Sequence, residues 1–404
     1  MADRTVLISG AGIAGPALAH WLSRYGYQPT IVERAPAPRP GGQAVDIRGV
    51  ARGVTERMGI MPAVRAARVN EQGFAYVDSA GRWSARMPAE LFGGEGIVAE
   101  IEILRGDLSR ILYDATGAHT EYLFGDSVTS LAEDADGVAV TFERAAPRRF
   151  DLVVGADGTH SRVRALAFGD EDRFVRPLGA YTAFFSLPEE FDNQGWFLMH
   201  NAPGRRMAAI RSERGHGTQA MFAFASPPLR YDRGDTAAQK RILAETFAGM
   251  GWEVPRLLAA LRDTTDLYFD LYGQVRLDRW ACGRVVLLGD AGYSPSPLTG
   301  MGTSLALVGA YVLAGELAAA GGDHALAFPR YEAALRGYVA QCQKLPPGGI
   351  SGFLPRGALA IRLRNLSMGM MTRWPLRALM AKAFQKADAI TLPDYATPAA
   401  APRD

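Results

Sequence analysis

The 404-residue sequence predicts an α/β fold: a doubly wound, Rossmann-like domain, an antiparallel sheet inserted into it, and a C-terminal helix. Three observations predict it. The N-terminus reads strand, glycine turn, helix, strand. Two later apolar runs, Leu152 to Val154 and Val285 to Leu288, end in Gly plus Asp, and ligands in open α/β sheets lie outside such carboxyl ends. Between about residues 169 and 278 the pattern turns to strand-like alternation.

Composition sets the outer bounds. Hydrophobic residues make up 48% and charged residues 21%, an ordinary globular balance with ample core. A formal charge of +2, with scattered arginines, gives no electrostatic reason to expect nucleic acid. The two cysteines, Cys282 and Cys342, form no redox or metal motif, and the six histidines have no paired spacing, so no metal site is expected. Val6 to Leu22 has the apolar length of a signal-peptide core, but Asp3, Pro16 and three spaced glycines fit a nucleotide-binding turn better. No other run reaches the length of a membrane span. The expectation is a cytoplasmic protein.

Within "TVLISGAGIAGPALAHWLSRYGYQPTIVERA", Val6, Leu7 and Ile8 form a buried strand, and Gly10, Gly12 and Gly15 fit GxGxxG. Leu18, Trp21, Leu22 and Tyr25 then mark one face of a helix. Gly10 permits the tight turn, Gly12 lets a pyrophosphate approach backbone N–H groups, and Gly15 lets helix and strand pack closely. The helix N-terminus adds partial positive charge and unpaired donors. Glu33 ends the next strand, where an acid accepts bonds from ribose hydroxyls. At this point NAD and FAD fit equally.

The later strand ends separate them. Asp157-Gly158 follows one and Gly289-Asp290 the other, so three strand ends carry Gly plus an acid. That implies a long ligand touched in several places, and FAD is long. With its ordered motifs, GxGxxG, "VVGADGTHSRVR" and "LLGDAGYSPSPLTGMG", the chain resembles the class A flavoprotein monooxygenases, the para-hydroxybenzoate hydroxylase family. It resembles more closely the branch of aromatic-polyketide hydroxylases and tetracycline-inactivating monooxygenases.

The resemblance implies that Glu33 binds the adenosine ribose, Asp290 the ribityl or pyrophosphate region, and Asp157 the region where FAD and NAD(P)H meet. Arg105 matches an arginine that reaches FAD. Asp46 and Arg48, in "GGQAVDIRG", match the loop beside the flavin, and Arg48 is also a catalytic candidate. Arg34 either faces the adenine or is solvated. Where the family carries a histidine or another polar residue after "GDA", this chain has Gly292-Tyr293; Tyr293 either lines the active site, as a second catalytic candidate, or packs under the loop.

In that loop Pro295 and Pro297 pre-set the backbone, while Gly300 and Gly302 permit close approach to a flat ring. The helix that follows would start near Met301 to Ser304, its positive end directed at the flavin's pyrimidine edge. On the alternating strands, the family's sheet roofs the substrate pocket, which makes Met199, Arg211, Phe222, Phe224 and, from the loop, Pro297 candidates for its lining. His200 and His216 are expected in surface or loop positions.

The resulting divisions are 1–168 and 279–345 for two parts of the FAD-binding domain, leaving room near 75–100 for strands of the substrate domain. The substrate domain proper is 169–278, a helical segment is 346–392, and a tail without fixed structure is 393–404. The segment after the Pro-Gly loop at 346 to 349, broken by Pro355 and Pro375, is basic and apolar; it reads as helices bordering the pocket rather than a membrane-surface element. No carboxylate pair or Ser-His-Asp order appears, as befits an enzyme whose cofactor carries the chemistry. The expected activity is hydroxylation of a sizeable aromatic or polyketide-like molecule through a flavin 4a-hydroperoxide, with NADPH or NADH as transient reductant and oxygen as co-substrate. Oxidase or reductase chemistry without oxygen insertion, and a nucleotide-binding redox sensor, are the alternatives. Monomer and homodimer stay open.

Overall fold

A computed structural model of the chain describes residues 4–38, 41–69, 71–89, 101–213, 217–371 and 388–395. His216 and Pro375 lie outside them. The first sheet has six strands in the order Ala281–Cys282, Val285–Leu287, Leu152–Gly155, Thr5–Ser9, Gln28–Glu33 and Glu121–Phe124, all parallel except the short first one. Its central strands are apolar on both faces because helices cover both. Val6, Leu7 and Ile8 are fully buried, as are Val153, Val154, Val286 and Leu287. The chain winds outward from Thr5–Ser9 in both directions, so a topological switch point lies beside that strand.

Register fixes what happens at the strand ends. Ser9 pairs with Gly155, and Gly155 with Leu287. The segments that follow, beginning at Gly10, Ala156 and Leu288, therefore leave the sheet at one edge. Helix Gly302–Ala319 lies behind it, buried nearly all round, against Ala14–Arg24, Val50–Arg57 and His324–Cys342. Trp21 meets Tyr311 edge to face at 5.0 Å. By length and composition alone this helix is apolar enough to cross a bilayer, against the expectation that no run after Val6 to Leu22 reaches that length; 78% of it is buried inside the protein.

The second sheet has seven strands: Tyr268–Val275, Val175–Leu187, Gly217–Ala225, Arg206–Glu213, Trp196–Ala202, Gly73–Val77 and Trp83–Pro88. Two of these precede residue 168 in the chain. Alternation gives the sheet two distinct faces. The outer face carries Phe185, Phe222 and Phe224, packed with Phe247, Leu243 and Leu257 of helices Thr236–Phe247 and Val254–Asp263. The inner face carries Tyr76, Met199, Met207, Met221 and Tyr272, which cluster with Leu354 and Met368. Helix Gly349–Phe353 and helix Ala358–Met371 supply the cover on that side.

The beginning of the C-terminal tail departs from expectation. Tyr311 Oη donates to the Pro393 carbonyl at 2.8 Å, and Tyr395 Oη donates to Glu316 Oε1 at 2.7 Å. The Tyr395 ring lies 5.3 Å from that of Tyr311. Residues 393 to 395 are thus fixed, because an aromatic ring finds an apolar seat over Gly315 and its hydroxyl finds a carboxylate.

One glycine of the large sheet is dictated by close approach. Gly73 has φ +143°, and a Cβ there would run into the Met87 carbonyl and lie 2.9 Å from Pro88 Cα and from the Trp196 ring. Gly73→Ala should lower unfolding free energy by about 2–3 kcal/mol, measured by denaturant titration, as overpacking against backbone does. An unchanged midpoint would mean that the edge strands yield.

Candidate active site

At the shared strand edge the three turns pack on one another. Gly10 has φ +110°, and a Cβ on it would sit 2.5 Å from the Ala156 carbonyl oxygen and 2.9 Å from Asp157 Cα. Gly15 has no room for a side chain because the Gly10 carbonyl lies against it. Gly12 differs from both. The group nearest its would-be Cβ is Arg105 Nη2, at 3.5 Å. Two of the three glycines are therefore needed for internal packing, and the middle one faces a guanidinium.

The acids hold these turns in shape. Glu33 Oε2 accepts from the Ala11 amide at 2.9 Å and Oε1 from the Ala35 amide at 2.9 Å. Asp157 accepts from Ser161 Oγ at 2.5 Å and from the Arg162 and Val163 amides at 2.7 and 3.2 Å, organising the entry to helix Arg162–Phe168. Burial pushes the Asp157 carboxyl up, and those donors oppose the shift. Arg34, next to Glu33, is exposed.

Asp290 starts a short helix directly after Gly289, whose φ is +63°. Its Oδ1 lies 3.7 Å from where a Cβ on Gly302 would be, so it borders the N-terminus of helix Gly302–Ala319. Burial raises its pKa, and the charge of Arg105 works against the rise. Arg105 thus stands between the first glycine turn and the Gly289-Asp290 turn. Neither helix Ala14–Arg24 nor helix Gly302–Ala319 has a side-chain cap or an acid in its first turn. Their leading N–H groups are suited to anionic or carbonyl partners.

The loop around Asp46 also comes to this edge. Arg48 Nε and Nη2 donate to Asp46 Oδ2 at 3.0 and 2.8 Å, and the Arg48 amide donates to Ser304 Oγ at 3.0 Å. Gly300 has φ +64°, and a side chain there would come within 2.8 Å of Asp46 Oδ2. Met301, beside it, is buried. Burial drives Asp46 up to about 6, with Glu102 adding to the rise and Arg48 opposing it. The structure thus gathers Gly10, Gly12, Gly15, Glu33, Asp46, Arg48, Arg105, Asp157, Asp290, Gly300, Met301 and Gly302 around one edge.

The substrate-side expectations fare less evenly. Met199 lies on the inner face. Arg211 reaches from the same sheet to Glu102 at 2.7 Å and to Glu71, with its guanidinium 5.7 Å from the Phe197 ring. Phe222 and Phe224 do not line that side. Phe222 stacks on Phe247 at 4.2 Å and Phe224 on Tyr181 at 5.7 Å, both on the outer face. Met221 and Ala223 hold the inner positions, because two amphipathic helices need the aromatic row for their own core. Pro297 is exposed, and its neighbour Leu298 packs toward the inner face. His200, expected near the surface, is buried with Nδ1 3.1 Å from the Val77 carbonyl.

Tyr293 packs beneath the loop, the second of its two expected places. Its hydroxyl lies 2.8 Å from that of Tyr331, its ring is 4.5 Å from Trp280, and Gly309 is bare because that hydroxyl occupies the space. Burial pushes it up to about 12. A residue that sequence reasoning missed is Tyr268, whose hydroxyl donates to Asp270 and on which the charges of Arg105 and Asp290 act. The usable signal was the alternation Tyr268, Asp270, Tyr272 in "YFDLYGQV", which puts an acid between two aromatic rings on one strand face.

The family described as FAD binding domain matches residues 3–342. An uncharacterized Mycobacterium tuberculosis protein, Rv1260, is 47% identical over 354 residues, covering 87% of this chain and 95% of its own. A flavin-dependent monooxygenase from an unknown prokaryotic organism is 40% identical over 377 residues, covering 92% and 96%. Among solved structures, tetracycline destructase Tet(51) superposes with a TM-score of 0.81 at 35% identity, covering 98% of this chain and 99% of its own.

Tyr293→Phe isolates the packing role. It removes one hydroxyl, while Tyr331 Oη still donates to the Leu287 carbonyl at 3.1 Å. The variant should lose about 1 kcal/mol of stability in chemical denaturation, with ligand binding at the strand edge unchanged. A large fall in ligand affinity would return Tyr293 to the site.

Proposed function

The chain belongs to the FAD-binding-domain family, and we propose that it is a flavin-dependent monooxygenase that hydroxylates a sizeable aromatic or polyketide-like molecule with NADH or NADPH as reductant. One observation carries the reading: three strand ends in common register meet two uncapped helix N-termini with Arg105 between them. A dinucleotide needs backbone donors for its pyrophosphate, a cation beside it, and acids at its sugars, and those groups are what this edge offers.

In this reading, Glu33 meets the adenosine ribose while holding the first turn. The N-terminus of helix Ala14–Arg24 and Arg105 receive the pyrophosphate, and Gly12 lets it reach the backbone. Asp290 and the first turn of helix Gly302–Ala319 serve the flavin half, with the Asp46–Arg48 pair beside it. Asp157 keeps the second turn in place. FAD, when bound and reduced, supplies the electrons that let oxygen give one atom to the substrate and the other to water. The protein's part is to bind, orient and exclude water.

We assign residues 1–168 and 279–345 to FAD binding, apart from the strands at 73–88, which with 169–278 form the substrate side. Methionine and aromatic side chains dominate the inner sheet face, a soft apolar wall suited to a flat multi-ring molecule. The solved relative at 35% identity is a tetracycline destructase, which supports a substrate of that general kind.

The test begins with the visible spectrum. The purified protein should be yellow or turn yellow with added FAD, bleach on NADPH, and reoxidise in air with peroxide released when no substrate is present. Asp290→Ala should weaken FAD binding at least tenfold, about 1.4 kcal/mol, in a fluorescence titration. With a turned-over substrate, product oxygen should derive from labelled oxygen gas; unlabelled product would make the enzyme an oxidase. A protein that gains no colour from FAD would remove the cofactor reading altogether.

A further inference from the structure

Tyr268 lies on the inner sheet face with Tyr272, and the residue is 37% exposed. Burial raises its pKa, Asp270 and Asp290 add to the rise, and Arg105 opposes it. Its strand, Tyr268–Val275, packs against helix Asp290–Tyr293 at the FAD edge. The hydroxyl donates to Asp270 Oδ2 at 3.2 Å.

Asp270 is held in turn from the flavin side. His160, in the same turn as Asp157, places Nε2 3.0 and 3.1 Å from the two Asp270 oxygens. Its Nδ1 lies 3.1 and 3.0 Å from the two Glu171 oxygens. A neutral imidazole has one N–H and one lone pair, so it cannot donate to a carboxylate on each side. With both carboxylates ionised, this geometry calls for the imidazolium. Burial works against the charge, but the bonds to Asp270 and Glu171 prevail and raise the His160 pKa. Burial likewise works to raise Glu171, yet His160 and Arg233 bring it down to about 2.

Every element around the imidazole contributes a charged or titratable group. Glu171 comes from the segment after helix Arg162–Phe168, and Asp270 and Tyr268 come from the edge strand of the large sheet. Arg164 reaches Glu171 at 3.8 Å from that helix, and Arg233 reaches it at 2.6 Å from the loop before helix Thr236–Phe247, which also carries Tyr231. The chain His160–Asp270–Tyr268 thus runs from the Asp157 turn to a ring exposed on the inner face.

We propose that His160 is a positioning residue: as an imidazolium it fixes Asp270, and through Asp270 the Tyr268 hydroxyl, so that the Tyr268 ring forms a wall of the cleft that takes FAD. This rests on the FAD reading above. Tyr268 touches the cofactor in this arrangement, and His160 acts only through its neighbours. The folded pKa lies above the ordinary value of about 6.5, so the clasp is complete below that pH and lost as pH rises through the folded value.

The experiment follows two signals against pH from 5.5 to 9.5 in the holoprotein: the visible circular dichroism of bound FAD, and the thermal unfolding midpoint. Wild type should hold a constant flavin signal at low pH and change as His160 deprotonates, with FAD affinity falling about three- to tenfold. His160→Gln should show the altered flavin signal throughout, with no titration in that window. Tyr268→Phe is the milder variant. It should lose the pH response of the flavin signal while keeping that of the unfolding midpoint, because His160, Asp270 and Glu171 remain. A His160→Gln protein that keeps the wild-type flavin profile, or a Tyr268→Phe protein that does, overturns the proposal. Wild type that binds no FAD at pH 6 fails at the earlier step, and the cofactor reading falls with it.

Discussion

The register of three parallel strands is the constraint on which the rest depends. Because Ser9, Gly155 and Leu287 stand abreast, the chain leaves the sheet at one level three times. Each exit must turn sharply, and the turns then crowd one another. Gly10 and Gly15 are bare for that reason, and the Ala156 carbonyl and the Gly10 carbonyl fill the places their side chains would take. A shift of one residue in any of these pairings would separate Asp157 or Asp290 from the first glycine turn. The site is thus a consequence of sheet alignment, with side chains added to a backbone arrangement already set.

The large sheet solves a different problem. It must bury one face in its own helices and offer the other to the parallel domain, and strand alternation divides the residues accordingly. The outer row is aromatic and rigid: Phe222 lies on Phe247, and Tyr181, Phe224 and Phe269 stack mutually. The inner row is richer in methionine, with Met199 and Met221 flanking Ala209 and Met207 two residues along on the strand between them. Stiff rings suit a permanent core, and flexible thioethers suit a surface that adapts to what it meets. Arg211 crosses from this sheet to Glu102, and Asp270 crosses to His160, so ion pairs tie the inner side to the parallel domain from two directions.

What was legible in the sequence follows from how local each feature is. The glycine turns, the acids beside them and the helix after Gly300 are written in runs of a few residues, and the structure gathers them at one edge. Alternation in "TQAMFAFASPP" showed that Met221 and Phe222 face opposite ways, yet it is symmetric and cannot say which way is inward. That choice is made by helices Thr236–Phe247 and Val254–Asp263, which follow later in the chain. Tyr293 was ambiguous for a similar reason, since its partners Trp280 and Tyr331 lie on other elements. The His160–Asp270 pair spans 110 residues and had no local trace. The fixing of Tyr395 over Gly315 was equally hidden, because its tail reads as Ala- and Pro-rich chain.

The acids at the site are not equivalent, and the difference lies in what each does for the fold. Glu33 and Asp157 already accept from backbone amides of the turns they border, so removing either would disturb the fold as well as any ligand. Asp290 stands at the start of a four-residue helix and faces Gly302 and Arg105, where a carboxylate does little for the strands beneath it. Burial without comparable backbone donors is costly for a carboxyl group, and its raised pKa expresses that cost. Ser294 supplies a side-chain hydrogen bond and Arg105 a charge, and both work against that cost at the mouth of the uncapped helix. The same reasoning separates Gly12 from its two neighbours: Gly10 and Gly15 are required by the protein's own backbone, whereas a side chain at Gly12 would meet only the Arg105 guanidinium.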